Sequence, residues 1–213
     1  MALEKGIDKL VQDFIAAGRP SPRKQSIDDR RAGYIASTEL AGETENRVIV
    51  ETLVLEEMTF RVFSPLNAPE TLPAAIYYHG GCFVSGGFET HDNQLRQLAF
   101  KGNCRIVAVQ YRLAPEHLFP AAHDDAERGA DLVWQYADRI GVNRNRITLC
   151  GDSAGAHLAL VTSLRLKAKV VWQPAQLILI YPMLDATARF ESYILNGADY
   201  VITRDTLLSG YEM

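Results

Sequence analysis

Cysteine is scarce in this 213-residue chain: there are three, Cys82, Cys104 and Cys150. An odd number at wide spacing, with no secretory signal, favours reduced thiols and a cytoplasmic protein over a disulfide scaffold. No two cysteines or histidines stand at the close spacing of a metal-ligand pair, so no metal site is expected. Long apolar runs are missing as well. The first 18 residues, MALEKGIDKLVQDFIAAG, carry charges every few positions. That fits neither a signal peptide nor a membrane span. Excess positive charge is also lacking. The net charge is −4, which favours neither nucleic acid nor an acidic membrane surface as partner. There is no internal repeat and no low-complexity segment. The glycines form no Gly-x-Gly-x-x-Gly and no Gly-Lys-Ser/Thr ending, which argues against phosphate binding. Histidine is absent after His157.

What is present suits one sizeable core: 47% of residues are hydrophobic and 23% charged. Ile7, Leu10, Val11, Phe14 and Ile15 fit one face of an N-terminal helix. Residues 19–26, RPSPRKQS, read as a polar, proline-broken link, and 27–40 as a second short helix. The period then changes. RVIVETLVL (47–55) and MTFRVFSP (58–65) alternate apolar and polar residues, predicting two antiparallel strands at a sheet edge. Beyond them strand and helix alternate. Strands are expected at 74–79, 105–111, 146–150 and 175–182. Helices are expected at 91–103, with Leu95, Leu98 and Ala99 inward, at 120–141 and at 154–169. The 120–141 segment opens on proline and closes on glycine, as a helix does. This order predicts an α/β fold, a mostly parallel sheet with helices on both faces.

In such sheets the chemistry gathers at the carboxyl ends of the strands. Three motifs fall there: His79-Gly80-Gly81-Cys82, Tyr111-Arg112-Leu113-Ala114-Pro115-Glu116-His117, and Gly151-Asp152-Ser153-Ala154-Gly155. The last follows a predicted strand and opens a predicted helix, the setting of a nucleophile elbow. Gly151 and Gly155 let strand and helix pass closely, and Ser153 stands at the positive end of a helix dipole. The Ala154 N–H then faces a developing oxyanion. The ordinary alternative for Ser153 is a helix N-cap. The glycine loop at 80–81 can offer two more backbone donors, and each such donor contributes roughly 2.7–4 kcal/mol in the transition state.

HGG-C-F, YRLAPEHLFPAA, GDSAG and YPMLD, in this order and spacing, resemble the hormone-sensitive-lipase-like branch of the α/β-hydrolase esterases, bacterial acetyl esterases included. The resemblance runs over 47–213 and implies a helical cap segment at 1–46, a hydrolase core at 47–185 and the start of a second cap segment at 186–213. It implies a soluble enzyme without cofactor that hydrolyses small esters of short acyl chains through an acyl-enzyme on Ser153. The oxyanion hole would comprise Gly80, Gly81, Cys82 and Ala154, with His79, Glu116 and Asp152 in support. Tyr111 to Ala121 would buttress the site. Cys82 departs from the pattern, because the family usually has glycine there, and the Cβ restricts the backbone.

In α/β-hydrolases the triad runs serine, acid, histidine along the chain. His79, His91, His117 and His123 all precede Ser153. His157, one helical turn beyond it, should point elsewhere and serve packing. Asp152 is too near to orient a histidine and is expected to anchor loops. Asp185 reads as structural or cap-related, and Asp124 and Asp125 as helix caps. Thr203 is expected to cap a last helix. Six strands can be placed, and the strands expected to carry acid and base are not among them. Two expectations follow: a C-terminally truncated esterase, or a non-catalytic binding module derived from one. The strand at 175–182 would then present an unpaired apolar edge, and a homodimer through that edge is expected.

Overall fold

The structure is a computed structural model and describes residues 3–18, 21–198 and 200–212. Met1, Ala2, Asp199 and Met213 of the two expected cap segments lie outside the described residues, as do Arg19 and Pro20 of the expected link.

Six strands form one sheet in the order β1-β2-β4-β3-β5-β6. β1 (Val48–Leu55) and β2 (Met58–Pro65) pair antiparallel through a tight turn, and β2 pairs antiparallel with β4 (Arg105–Val109). β3 (Leu72–Tyr78) lies parallel between β4 and β5 (Val142–Asp152), and β6 (Gln176–Ile180) is parallel to β5. The antiparallel pair at one edge and the parallel remainder match the sequence periods. β3 reads as a nearly continuous apolar run because it is covered on both faces.

Alternation of side chains divides the core in two. Phe60, Val62, Ile76, Tyr78, Val107, Ile147 and Leu149 face α4 (Ala121–Gln135), α5 (Ala137–Ile140) and α6 (Ala154–Lys169). Phe63, Ala75, Tyr77, Ala108 and Cys150 face α3 (Phe88–Gly102) on the other side. The helix expected at 91–103 begins earlier, where Gly87 donates its N–H to Thr90 Oγ1. Its inward stripe is Phe88, His91, Leu95 and Ala99, while Leu98 is 37% exposed. Steps of three and four residues keep that stripe on one side, and Leu98 lies about 100° away from Ala99. The helix expected at 120–141 is two helices that break at Tyr136, and Gly141 ends the second at φ +73°.

At the N-terminus, α1 (Lys5–Ala16) buries Val11 but leaves Ile7 and Ile15 about half exposed. The expected five-residue stripe is therefore buried at Val11, half-buried at Leu10 and Phe14, and exposed at Ile7 and Ile15. α2 (Ile27–Ala36) starts at Ser26, whose hydroxyl accepts from the Asp29 N–H. It continues as a 3₁₀ turn over 37–41. Near the other end lie α7 (Glu191–Leu195) and α8 (Arg204–Tyr211). Thr203 caps α8 as expected, its Oγ1 accepting from the Thr206 N–H. Arg23 ties the two terminal regions together through a fork of two 2.6 Å bonds to Glu212 and a contact with Asp205.

Candidate active site

β3 and β5 end side by side, with Tyr77 and Tyr78 in register with Cys150 and Gly151. The glycine loop and the serine turn therefore leave the sheet together. Gly151 and Gly155 are obligatory at this crossing, because a Cβ on either would collide with the carbonyl of Tyr78.

Ser153 has φ +53° and ψ −117°. A non-glycine residue in this left-handed region carries strain of order 1–3 kcal/mol. The backbone is held by flanking contacts. The Ser153 N–H donates to Ile180 O at 2.9 Å, and Ser153 O accepts from His157 N and Met183 N. The Ser153 hydroxyl makes no capping bond to α6. Ser153 therefore does not use its hydroxyl as a helix N-cap.

Asp152, 4% exposed, organises the neighbouring loop. Its Oδ1 accepts from Tyr77 Oη at 2.8 Å and from the Gly80 N–H at 2.9 Å, and faces His91 Nε2 at 3.2 Å. Burial alone would raise its pKa, but the bonds from His91, Tyr77 and Gly80 outweigh it and hold the carboxyl below its ordinary value. The Gly80 N–H is therefore engaged and is not an oxyanion donor, which corrects one of the four expected positions. The N–H groups of Gly81, Cys82 and Ala154 have no acceptor among the described residues.

Gly81 (φ +132°), Cys82 (φ +54°) and Phe83 (φ +64°) all take positive φ, so the loop doubles back tightly on itself. Val84 N and Ser85 N both donate to Gly81 O. Cys82 carries a side chain in this loop and adopts the left-handed conformation all the same. Its Cβ lies where α8 crosses. A Cβ on Gly210 would stand 2.7 Å from it, so glycine at 210 makes room for Cys82. Burial pushes the Cys82 thiol up in pKa, which makes it a poor nucleophile.

The supporting residues are more connected than their spacing suggests. His79 stacks on Tyr111 at 4.3 Å, and its Nδ1 lies 2.8 Å from Gly80 O. Burial first, and then the nearby His91, depress its pKa to about 4, so it is a neutral strut at ordinary pH. Glu116 receives a fork from Arg31 on α2, two bonds of 2.7 Å. Arg31 also donates to Val84 O and Ala114 O. An N-terminal helix thus pins both loops of the site. Asp125 does not cap its helix. It accepts from the Arg112 N–H and guanidinium and fastens the 111–117 loop, while Asp124 pairs with Arg165. Asp185 closes a local turn with Thr187.

His157 points away from Ser153. Its Nδ1 is 2.8 Å from Met183 O and its Nε2 is 3.1 Å from His123 Nε2. Sequence reasoning missed this imidazole pair, the His91–Asp152 contact and Arg31. His91 was legible in principle, at positions i, i+4 and i+8 with Leu95 and Ala99. The pairing of His123 with His157 depends on two helices 34 residues apart and has no local signal. No group of three or more metal-ligating side chains forms among the described residues. No described helix is long and apolar enough to cross a membrane.

A family model described as alpha/beta hydrolase fold matches residues 75–213. The chain is 30% identical over 209 residues to an ethyl acetate hydrolase of Pseudomonas putida, across 93% of this chain and 66% of that protein. It is 34% identical over 154 residues to carboxylesterase NlhH of Mycobacterium tuberculosis, across 72% of this chain and 48% of that one. The chain thus spans less than two thirds of either curated relative. Among solved structures it superimposes on an ester hydrolase from the metagenome of Lake Arreo with a TM-score of 0.89 at 31% identity, covering 99% of this chain and 70% of that one. A hyperthermophilic esterase from Pyrobaculum calidifontis gives 0.88 at 33% identity, with 99% and 69% covered.

Proposed function

Because the chain belongs to the α/β-hydrolase fold family, we propose that it is built to hydrolyse small carboxylic esters of short acyl chains through an acyl-enzyme on Ser153. One observation carries the reading. Ser153 stands in a left-handed turn at the end of β5, beside three backbone N–H groups that have no acceptor among the described residues. Its Oγ attacks the ester carbonyl, and the carbonyl oxygen takes up negative charge facing Gly81, Cys82 and Ala154 N–H. Collapse expels the alcohol, and water then releases the acid. A base must take the serine proton, and no described histidine side chain hydrogen-bonds the Ser153 hydroxyl. Relatives named for ester hydrolysis support the reaction class. The N-terminal helices and residues 186–213 act in this reading as a cap over the 47–185 core, and the Arg23–Glu212 and Arg31–Glu116 forks favour it.

The experiment is labelling with a fluorophosphonate followed by peptide mass spectrometry. Slow but selective modification of Ser153, assisted by the oxyanion donors and lost in Ser153→Ala, is expected. Equal modification of surface serines with Ser153 untouched would overturn the reading. A non-catalytic binding role is the second reading, favoured by the same lack of an imidazole at the Ser153 hydroxyl among the described residues.

A second proposal concerns association. Among the described residues β6 pairs on one side alone, and Leu177 and Ile178 are 38% and 47% exposed. Such an edge invites pairing with a second copy. Sedimentation is expected to show a dimer that grows with concentration and that Ile178→Lys weakens. A monodisperse monomer at high concentration would count against it.

A further inference from the structure

Arg31 stands on α2, outside the loops that carry Ser153 and its N–H donors, yet its guanidinium is engaged there by four bonds. Nη1 and Nη2 fork onto Glu116 at 2.7 Å each, Nη2 also donates to Ala114 O at 3.1 Å, and Nε donates to Val84 O at 2.9 Å. The fork fixes the plane of the guanidinium and leaves Nε aimed at one carbonyl. Val84 is fully buried, so that bond lies away from competing water.

That carbonyl matters because of the peptide unit it belongs to. A trans peptide is planar, and its C=O and N–H point in opposite directions. The cis bonds among the described residues are Ala114–Pro115 and Phe119–Pro120, so the peptides of the glycine loop are trans. The unit that offers Val84 O to Arg31 offers the Ser85 N–H at its other end, and this N–H donates to Gly81 O at 3.0 Å. Gly81 O in turn shares its peptide unit with the Cys82 N–H, which has no acceptor among the described residues. Two peptide units thus run in series from the guanidinium to an open donor. A second series joins at the same carbonyl. His117 N donates to Leu113 O at 2.9 Å, Ala114 N to Phe83 O at 2.9 Å, and Val84 N to Gly81 O at 3.1 Å. Ser85 Oγ adds a third bond to Gly81 O at 3.0 Å. Hydrogen bonds in series polarise one another, so each bond upstream makes the Cys82 N–H a stronger donor. The same bonds fix its direction, in a loop whose residues 81–83 all take positive φ and need outside support.

Resting on the reading of Ser153 as nucleophile, we propose that Arg31 is a positioning residue for ester hydrolysis, one that aims and polarises the Cys82 N–H toward the oxyanion through the peptide units 84–85 and 81–82. Arg31 acts through the backbone. Glu116 balances its charge, so its influence reaches Cys82 along the hydrogen bonds rather than as the field of a free cation.

The test uses the ¹⁵N-labelled full chain and a fluorophosphonate, whose phosphoryl oxygen gains negative charge as Ser153 attacks. Outright loss of an oxyanion donor costs about 10²–10³-fold, so Arg31→Met, which loosens and depolarises one donor, should slow the maximal labelling rate about tenfold. The half-saturating reagent concentration should hold. In the adduct the Cys82 amide proton should resonate upfield of its position in the unsubstituted chain. Arg31→Lys keeps one donor for Val84 O and should recover part of both effects. Ser85→Ala removes one bond to Gly81 O without touching α2 and should move the same resonance the same way. It carries the test if Arg31→Met fails to fold. Labelling rates and Cys82 resonances unmoved in every variant that folds overturn the proposal, whatever the thermal midpoints do. A rate that falls while the Cys82 resonance stays in place assigns Arg31 to packing and overturns it as well. In both cases labelled Ser153 leaves the nucleophile standing, whereas Ser153 left unlabelled in the unsubstituted chain refutes the nucleophile and this role together.

Discussion

Made as these 213 residues, the protein is expected to hydrolyse 4-nitrophenyl acetate only slowly, at no more than about 10³–10⁴ times the uncatalysed rate. The reason is the placement of its histidines. His79 is stacked on Tyr111 beside the Gly80 carbonyl, His91 faces Asp152, and His157 is engaged by Met183 and His123. None bonds the Ser153 hydroxyl. Loss of the base in a serine triad lowers turnover by about 10⁶-fold, and what survives comes from binding and the oxyanion donors. Steady-state rates for the chain and for Ser153→Ala should therefore lie within about tenfold of one another, since without a base the serine adds little. Turnover at ordinary enzyme rates that Ser153→Ala abolishes would show that one of these histidines leaves its partners and serves Ser153.

The largest expected effect on stability is that of Asp152→Ala. The substitution removes one carboxylate that three groups share: Tyr77 Oη and the Gly80 N–H lose their acceptor, and His91 Nε2 keeps only the longer contact with Tyr34 Oη at 3.4 Å. Each buried donor left unsatisfied costs about 1–3 kcal/mol, so the loss should reach about 3–5 kcal/mol. At roughly 2–4 °C per kcal/mol for a chain of this size, the thermal midpoint should fall by about 10 °C. The loss should also reach the site, because the Gly80 N–H is what holds the glycine loop against the end of β5. Fluorophosphonate labelling of Ser153 should therefore slow in the variant at temperatures where it remains folded. Asp152→Asn preserves the shape and an acceptor and should lie between the two. A midpoint unchanged in Asp152→Ala would mean that the carboxylate is a passenger.

The parts of this molecule written in local periodicity were readable from the residues. Alternation in 47–65 gave an antiparallel pair, apolar runs gave buried parallel strands, and glycines after β3 and around Ser153 marked the turns at one sheet edge. The parts that depend on long-range pairing were not. Leu98 was placed inward because it is apolar and near Leu95, yet His91 holds the inward position, since a buried carboxylate waits there for it. Gly80 looked like a donor because glycine loops expose N–H groups, and only the position of Asp152 shows where that N–H goes. Asp124 and Asp125 looked like caps because they open a helix, but Arg112, 13 residues before Asp125, and Arg165, 41 residues beyond Asp124, claim them. Charges find partners in three dimensions, and sequence distance carries no record of that choice.

The contact between Cys82 and Gly210 has a practical consequence. α8 crosses directly over the cysteine that bears one of the free N–H groups, and Cys82 is 7% exposed. An alkylating reagent reaches this sulfur only after the helix has lifted. The rate of Cys82 modification is thus a clock for helix departure, readable without substrate or turnover.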